Sequence, residues 1–151
     1  MNASARRGRG SRAERAAAGL VRGVVAVPGV RRVLLWPVIA WPGYAFATAC
    51  AFLWGTLLLG RHRRHAGLHV IHGLPRWAFG RGGTTIGAVY LTRDATSQSV
   101  LEHELVHRRQ WRRYGLALPV LYLAAGVAAH TNRFEIEAGL ERGGYREGPR
   151  R

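Results

Sequence analysis

Residues 33–60, VLLWPVIAWPGYAFATACAFLWGTLLLG, carry no charged side chain. An uncharged run of 28 residues is longer than the roughly 20 apolar residues a helix needs to cross a bilayer. A chain containing it must bury it or give it to lipid. Arg31 and Arg32 precede the run, and Arg61, Arg63 and Arg64 follow it. Trp36, Trp41, Tyr44 and Trp54 are ring types that favour the membrane–water interface. Pro37 and Pro42-Gly43 interrupt its first third, where an interior proline costs a backbone hydrogen bond and kinks a helix. The run reads as an N-terminal apolar membrane segment, either one kinked transmembrane helix or a re-entrant hairpin. A buried core helix is the alternative, and such helices are shorter. The arginine counts on the two flanks are similar, so charge does not orient the segment.

The chain has 151 residues, enough for one domain. Its formal charge is +15, and all 23 cationic residues are arginine. The absence of lysine reads partly as codon bias in a GC-rich genome. The charge favours anionic partners, nucleic acid or anionic lipid. The single cysteine, Cys50, excludes an intrachain disulfide and a cysteine-ligated iron–sulfur cluster. It reads as a small buried hydrophobe.

Residues 1–32, with eight arginines, read as a basic flexible arm with a short helix near 12–25. No cleavage site follows a compact apolar core early enough for a secretory signal. Residues 61–145 read as the metal-binding domain, and residues 146–151 as a basic tail. Strands are expected near 68–72 and 84–92, forming a short antiparallel pair. The best helix spans 96–113, with Thr96 or Ser97 as N-cap, Glu102 and Glu104 early, arginines late, and Gly115 to end it. Residues 116–129 are apolar but too short for a simple span. Residues 132–141 read as a further helix. The fold class expected is α+β, mostly α.

The chemistry concentrates in His103-Glu104-Leu105-Val106-His107. Residues four apart on a helix lie about 40° apart around its axis. Both imidazoles can therefore address one ion, while Glu104 sits beside them, free to take a proton from water. The motif arises in roughly one to two of a hundred shuffled chains of this composition, so context matters. A catalytic zinc needs three protein ligands and an open position. Downstream, NRFEIEAG (132–139) offers Glu135 and Glu137, about 200° apart on a helix, so only one can face the metal.

The pair HELVHRRQ and NRFEIEAG resembles the gluzincin arrangement, in which a glutamate on a later helix completes the H-E-x-x-H site. It looks like membrane-embedded zinc peptidases such as the CAAX-processing enzymes. It also looks like small actinobacterial proteins, some labelled Fe–S oxidoreductases, a label that one cysteine does not support. The resemblance covers about residues 80–145 and implies a minimal zincin-like helix pair. It implies Zn²⁺ held by His103, His107 and Glu135, with Glu104 as general base. Gly139 departs from the peptidase pattern, where an aspartate commonly orients a zinc histidine. Asn132, Glu102 and Glu137 are the candidates to replace it. In peptidases of this kind the strand before the zinc helix pairs with extended substrate. That role falls on 84–93, with Gly87, Ala88, Val89 and Tyr90 as substrate-binding positions. Tyr114, Tyr122, His130, Arg133 and Tyr145 are candidates for transition-state stabilisation, and His130 is also a possible ligand.

Two other features attract attention. His62, His65, His69 and His72 form H-x-x-H pairs, but on a strand His69 and His72 face opposite sides. RRQWRR (108–113) has the look of a nucleic-acid stripe, yet its place beside an apolar segment favours lipid headgroups, with Trp111 at the interface. The expectation is a membrane-associated zinc metallopeptidase acting on a peptide or protein, touching anionic lipid, with its site on the cytoplasmic face. The alternatives are a non-catalytic zinc-stabilised protein and a basic nucleic-acid- or partner-binding module.

Overall fold

The longest apolar run forms one helix, α1 (Pro37–Leu57), which continues through Pro42. Pro42 lies near the helix start, where it removes one hydrogen bond and leaves the later turns intact. The helix buries its small residues. Ala40, Ala47 and Ala51 are buried, and they fall on one stripe with Gly43 and Gly55 at spacings of three and four. A Cβ on Gly43 would lie 2.8 Å from the Leu116 nitrogen, and one on Gly55 would lie 2.7 Å from Ile71 Cδ1. The backbone of α1 is therefore pressed directly onto the rest of the protein.

The computed structural model describes residues 36–79 and 82–145, with a few isolated positions before them. Apart from those isolated positions, the expected basic arm with its short helix lies outside the described residues, as does the basic tail. Among the described residues, no helix is long and apolar enough to cross a membrane. This corrects the reading of 33–60 as an apolar membrane segment, because one side of the helix is committed to packing on the sheet and on the second helix. Cys50, expected to be buried, is exposed, since it falls off the small-residue stripe.

After α1 come β1 (Arg61–His65), β2 (Leu68–His72), a short 3-10 turn (Arg76–Ala78), β3 (Gly83–Ile86) and β4 (Val89–Thr92). They form one four-stranded sheet in the order β1-β2-β4-β3. The two hairpins are antiparallel, whereas β2 and β4 run parallel, with Val70 opposite Tyr90. The expected short antiparallel pair is thus corrected to a mixed sheet. The segment read as one strand over 84–92 turns back at Gly87-Ala88, where Gly87 adopts φ +61° and a Cβ would strike Thr48. Thr48 Oγ1 accepts from the Ala88 N–H at 2.9 Å and ties this turn to α1.

Alternation along the strands builds two cores. Ile71, Val89 and Leu91 face Ala51 on α1, and Leu68, Val70 and Tyr90 face Leu101. Leu101 belongs to α2 (Gln98–Tyr114), which starts at Ser97, whose hydroxyl accepts from the Val100 N–H, and stops at Gly115. The chain then forms α3 (Ala117–Ala125), a 3-10 turn (Ala129–Thr131) and α4 (Arg133–Ala138). Trp111, Leu118, Leu121 and Phe134 pack with Ala47 where these helices meet α1. Trp111 is 7 % exposed, so it is a core residue and not the interface residue expected from RRQWRR.

Candidate metal centre

α2 carries His103, Glu104 and His107, and α4 brings Glu135 to them. The placement of α4 depends on Asn132, which is fully buried. Its Oδ1 accepts from the Phe134 N–H at 3.0 Å, capping the helix. Its Nδ2 donates to the carbonyls of Tyr122 and Gly126 at 3.1 and 2.6 Å. Asn132 is thus the residue that anchors the Glu135 helix, and it does not orient a histidine. Glu137, on the other side of α4, accepts from Gln110 Nε2 at 3.0 Å.

The histidines are oriented by groups that leave one tautomer for each. His103 Nδ1 lies 3.0 Å from the Gly139 carbonyl, which can only accept, so Nδ1 carries the proton. His107 Nδ1 lies 2.8 Å from Gln110 Oε1. The amide orientation is set by Gln110 Nε2, which donates to the Phe134 carbonyl at 3.0 Å and to Glu137. Oε1 therefore faces the ring, and His107 also carries its proton on Nδ1. Both Nε2 lone pairs then point inward.

They converge. The two Nε2 atoms are 3.0 Å apart. His103 Nε2 is 3.3 Å from Glu135 Oε2, and His107 Nε2 is 3.6 Å from Glu135 Oε1. Glu135 Oε2 is buried without a hydrogen-bond donor, and the hydroxyl of Tyr122 donates to Oε1. Three electron-pair donors facing one another repel unless a cation lies between them. Ligands about 2.0–2.2 Å from a tetrahedral zinc are about 3.3 Å apart, and the observed separations bracket that value. The donor set, two imidazoles and one carboxylate, suits zinc. Among the described residues, His103, His107 and Glu135 are the one group of three metal-ligating side chains.

The electrostatics agree with this geometry. Burial by itself would raise the Glu135 carboxyl, but the adjoining His103 and His107 rings, with the Tyr122 hydroxyl, hold it well below the usual carboxylate range. Burial by itself would lower His107, but the Glu135 and Glu104 carboxylates draw it above its ordinary value. Burial raises Glu104, partly offset by His107 and by the Thr85 hydroxyl, which donates to Oε2 at 2.7 Å.

A cavity of about 510 Å³ opens onto these groups, walled by Gly83, Thr85, Tyr90, Trp111, Tyr122 and Tyr145 among others. The Trp111 indole donates to the Thr85 carbonyl at 2.8 Å, fixing β3 against α2.

The chain matches no protein-family model, no curated protein and no solved structure. The gluzincin likeness therefore stands on the residues of this site alone.

The remaining sequence candidates fall in different places. Gly87 and Ala88 form the turn against Thr48. Val89 and Tyr90 are buried in β4, which is bonded to β2 and β3. Strand addition needs a free edge; β4, expected to offer one at 87–90, has none, and the strand at that end of the sheet order is β3. Of those four residues only Tyr90 lines the cavity. Tyr114 packs edge-on to Phe134 in the core, and Arg133 lies over the same ring. Exposed His130 stands 6.4 Å from the Tyr145 ring, outside the ligand group. Glu102 accepts from Gln98 and does not orient His103. His62 and His69 pair at 2.9 Å, with no third ligating group beside them among the described residues. Sequence alone gave no role to Gln110, which sits inside RRQWRR, or to Thr85 or Gly143. Gln110 sits three residues after His107, on the same helix face, and that spacing was the available signal.

Proposed function

We propose that the protein is a zinc-dependent hydrolase acting on a peptide bond. His103, His107 and Glu135 would hold the metal, and Glu104 would act as the general base. The observation that carries this reading is the pair of inward-facing Nε2 lone pairs beside the orphaned Glu135 oxygen, with Glu104 at the same cavity. Bound zinc supplies a Lewis acid that polarises a carbonyl and lowers the pKa of water towards about 7.

The protein's own groups supply the rest. Gly139 and Gln110 keep the imidazoles in the ligating tautomer. Thr85 holds one oxygen of Glu104, so the carboxylate is positioned before substrate arrives. Burial raises the proton affinity of Glu104, which suits a group that must take a proton near neutral pH. An extended substrate would lie along Gly83–Ile86, the strand at the end of the sheet order. Tyr122 and Tyr145 line the same cavity. Three ligands beside an open cavity support a catalytic site over a structural one, which closes its metal with four.

The test is zinc per chain by elemental analysis in wild type and in His103→Ala, Glu135→Ala and Glu137→Ala proteins, followed by peptide hydrolysis with Glu104→Gln. About one zinc, lost with His103 and Glu135 but retained with Glu137, is the expected result. A Glu104→Gln protein that binds zinc and cleaves peptides like wild type would sink the catalytic assignment. One that binds zinc while neither protein cleaves would favour a non-catalytic zinc protein.

A further inference from the structure

We propose that the outer face of α1 docks the protein on an anionic lipid surface, with the helix lying along that surface. The proposal is independent of the hydrolase reading. It rests on the way α1 is turned. A core helix ordinarily buries its largest side chains, because they remove the most apolar area from water. Here a stripe of alanines and glycines is inside, and of the described large side chains only Tyr44 packs partly against the core. Trp41, Phe46, Leu53 and Leu57 are 66, 62, 59 and 68 % exposed, and Trp36 and Val38 extend the face. The helix is about 31 Å long at 1.5 Å per residue, and this apolar face runs its length. Scattered exposed apolar residues need no explanation, but here the whole side of α1 turned away from the core is uncharged and carries these large side chains, which marks an interaction surface.

The charge around the strip selects the occupant. α1 itself has no charged residue. At its C-terminal end the strip meets arginines. Exposed Arg64 shares a face of β1 with His62, whose ring touches Phe52 and whose Nε2 lies 3.3 Å from Thr56 Oγ1. Exposed Arg76 precedes Trp77, whose ring stands 6.0 Å from that of Trp54. Trp54 is fixed by its Nε1, which donates to the Ala78 carbonyl at 3.1 Å.

Tryptophans, an apolar strip and bordering arginines match a bilayer interface, where the rings enter the headgroup boundary and the guanidiniums meet phosphate. A second copy on this face would have to accommodate the same arginines against its own. Nucleic acid would satisfy the arginines and leave the apolar strip in water.

The test is flotation of the full chain with phosphatidylcholine vesicles, with and without phosphatidylglycerol, followed by tryptophan fluorescence. Because the +15 chain adheres to any anionic surface, the deciding variant is Trp41→Ser with Phe46→Ser, which leaves charge unchanged. Both side chains are exposed, so the variant should fold, checked by circular dichroism. Expected are binding to phosphatidylglycerol vesicles with a blue-shifted emission, and at least a ~tenfold weaker partition for the double variant. Replacing Arg64 and Arg76 with Ser should reduce the preference for phosphatidylglycerol. Equal binding of wild type and the apolar double variant would overturn the proposal, as would no vesicle binding by wild type. A vesicle-free dimer that the double variant dissociates would overturn it in favour of self-association.

Discussion

The carbonyl of Gly139 lies 3.0 Å from His103 Nδ1 and accepts a hydrogen bond from its N–H. The position where the resembled peptidases place an orienting aspartate therefore still orients the histidine, through backbone instead of side chain. A carbonyl fixes the tautomer without adding negative charge, so His103 gains orientation and less basicity than a carboxylate would give it.

The same segment packs on the His103 ring through Gly143. A Cβ there would come within 2.6 Å of Cε1 and 2.9 Å of Nδ1. The ring cannot retreat without breaking its bond to Gly139. Gly143→Ala should therefore weaken zinc binding at least ~tenfold, measured by competition with a chromophoric chelator. Gly82→Ala, with nothing near its Cβ, should leave zinc affinity unchanged.

Gln110 joins His107, Phe134 and Glu137 in one network. Gln110→Ala removes the acceptor for His107 and should lower zinc affinity by about 10–100-fold. Gln110→Glu keeps an acceptor but sets a carboxylate against Glu137. Adding Glu137→Gln should recover part of the loss, because it removes the carboxylate repulsion and supplies a donor to the carboxylate introduced at position 110, while the Phe134 carbonyl stays without the donor it had. A double variant no better than Gln110→Glu alone would contradict this account.

Asn132→Ala removes a helix cap and two donors to buried carbonyls. The cap is worth about 1 kcal/mol, and each stranded carbonyl costs about 1 kcal/mol or more. Destabilisation of about 3 kcal/mol is expected, read by urea unfolding in the metal-free protein. Zinc should still bind while the variant is folded, at reduced affinity, because the helix bearing Glu135 loses its anchor.

His69 is held below its ordinary pKa of 6.5, first by burial, then by His62 and Arg64. The native state therefore binds fewer protons at this position than the unfolded state. Its contribution to stability is present above pH 6.5 and is lost as pH falls below it. In the metal-free protein His107 acts in the opposite sense, because its pKa is raised. Thermal melts of wild type and His69→Gln, each metal-free, should converge as pH falls from about 7.5 to about 5.5. Parallel melting curves across that range would show that His69 is not coupled to folding.

Local signals were read well where the chain itself supplies them. The β2 strand falls on the expected 68–72, and α2 lies within two residues of the expected helix, with the Ser97 cap and Gly115 stop in place. His103, His107 and Glu135, the residues named through the resemblance, come together between α2 and α4, and Glu137 lies outside that group. The first strand was missed because Arg61-His62-Arg63-Arg64-His65 has no apolar alternation, and its strand character comes from pairing with β2. The β3–β4 turn was missed because Gly87-Ala88 lacks the usual Asn-Gly or Asp-Gly signal.

By itself the amino-acid sequence determined what depends on neighbours three or four residues apart: the helix periods, the caps, and two histidines and a glutamate on one face of α2. Tertiary structure alone decided which groups meet across the chain: the Gly139 carbonyl on His103, Gln110 between His107 and Glu137, and Thr85 on Glu104. It also decided that residues 37–57 pack through their alanines and glycines and leave their large rings outside. Hydropathy measures how apolar a segment is, and cannot say which of its faces another element will come close enough to cover.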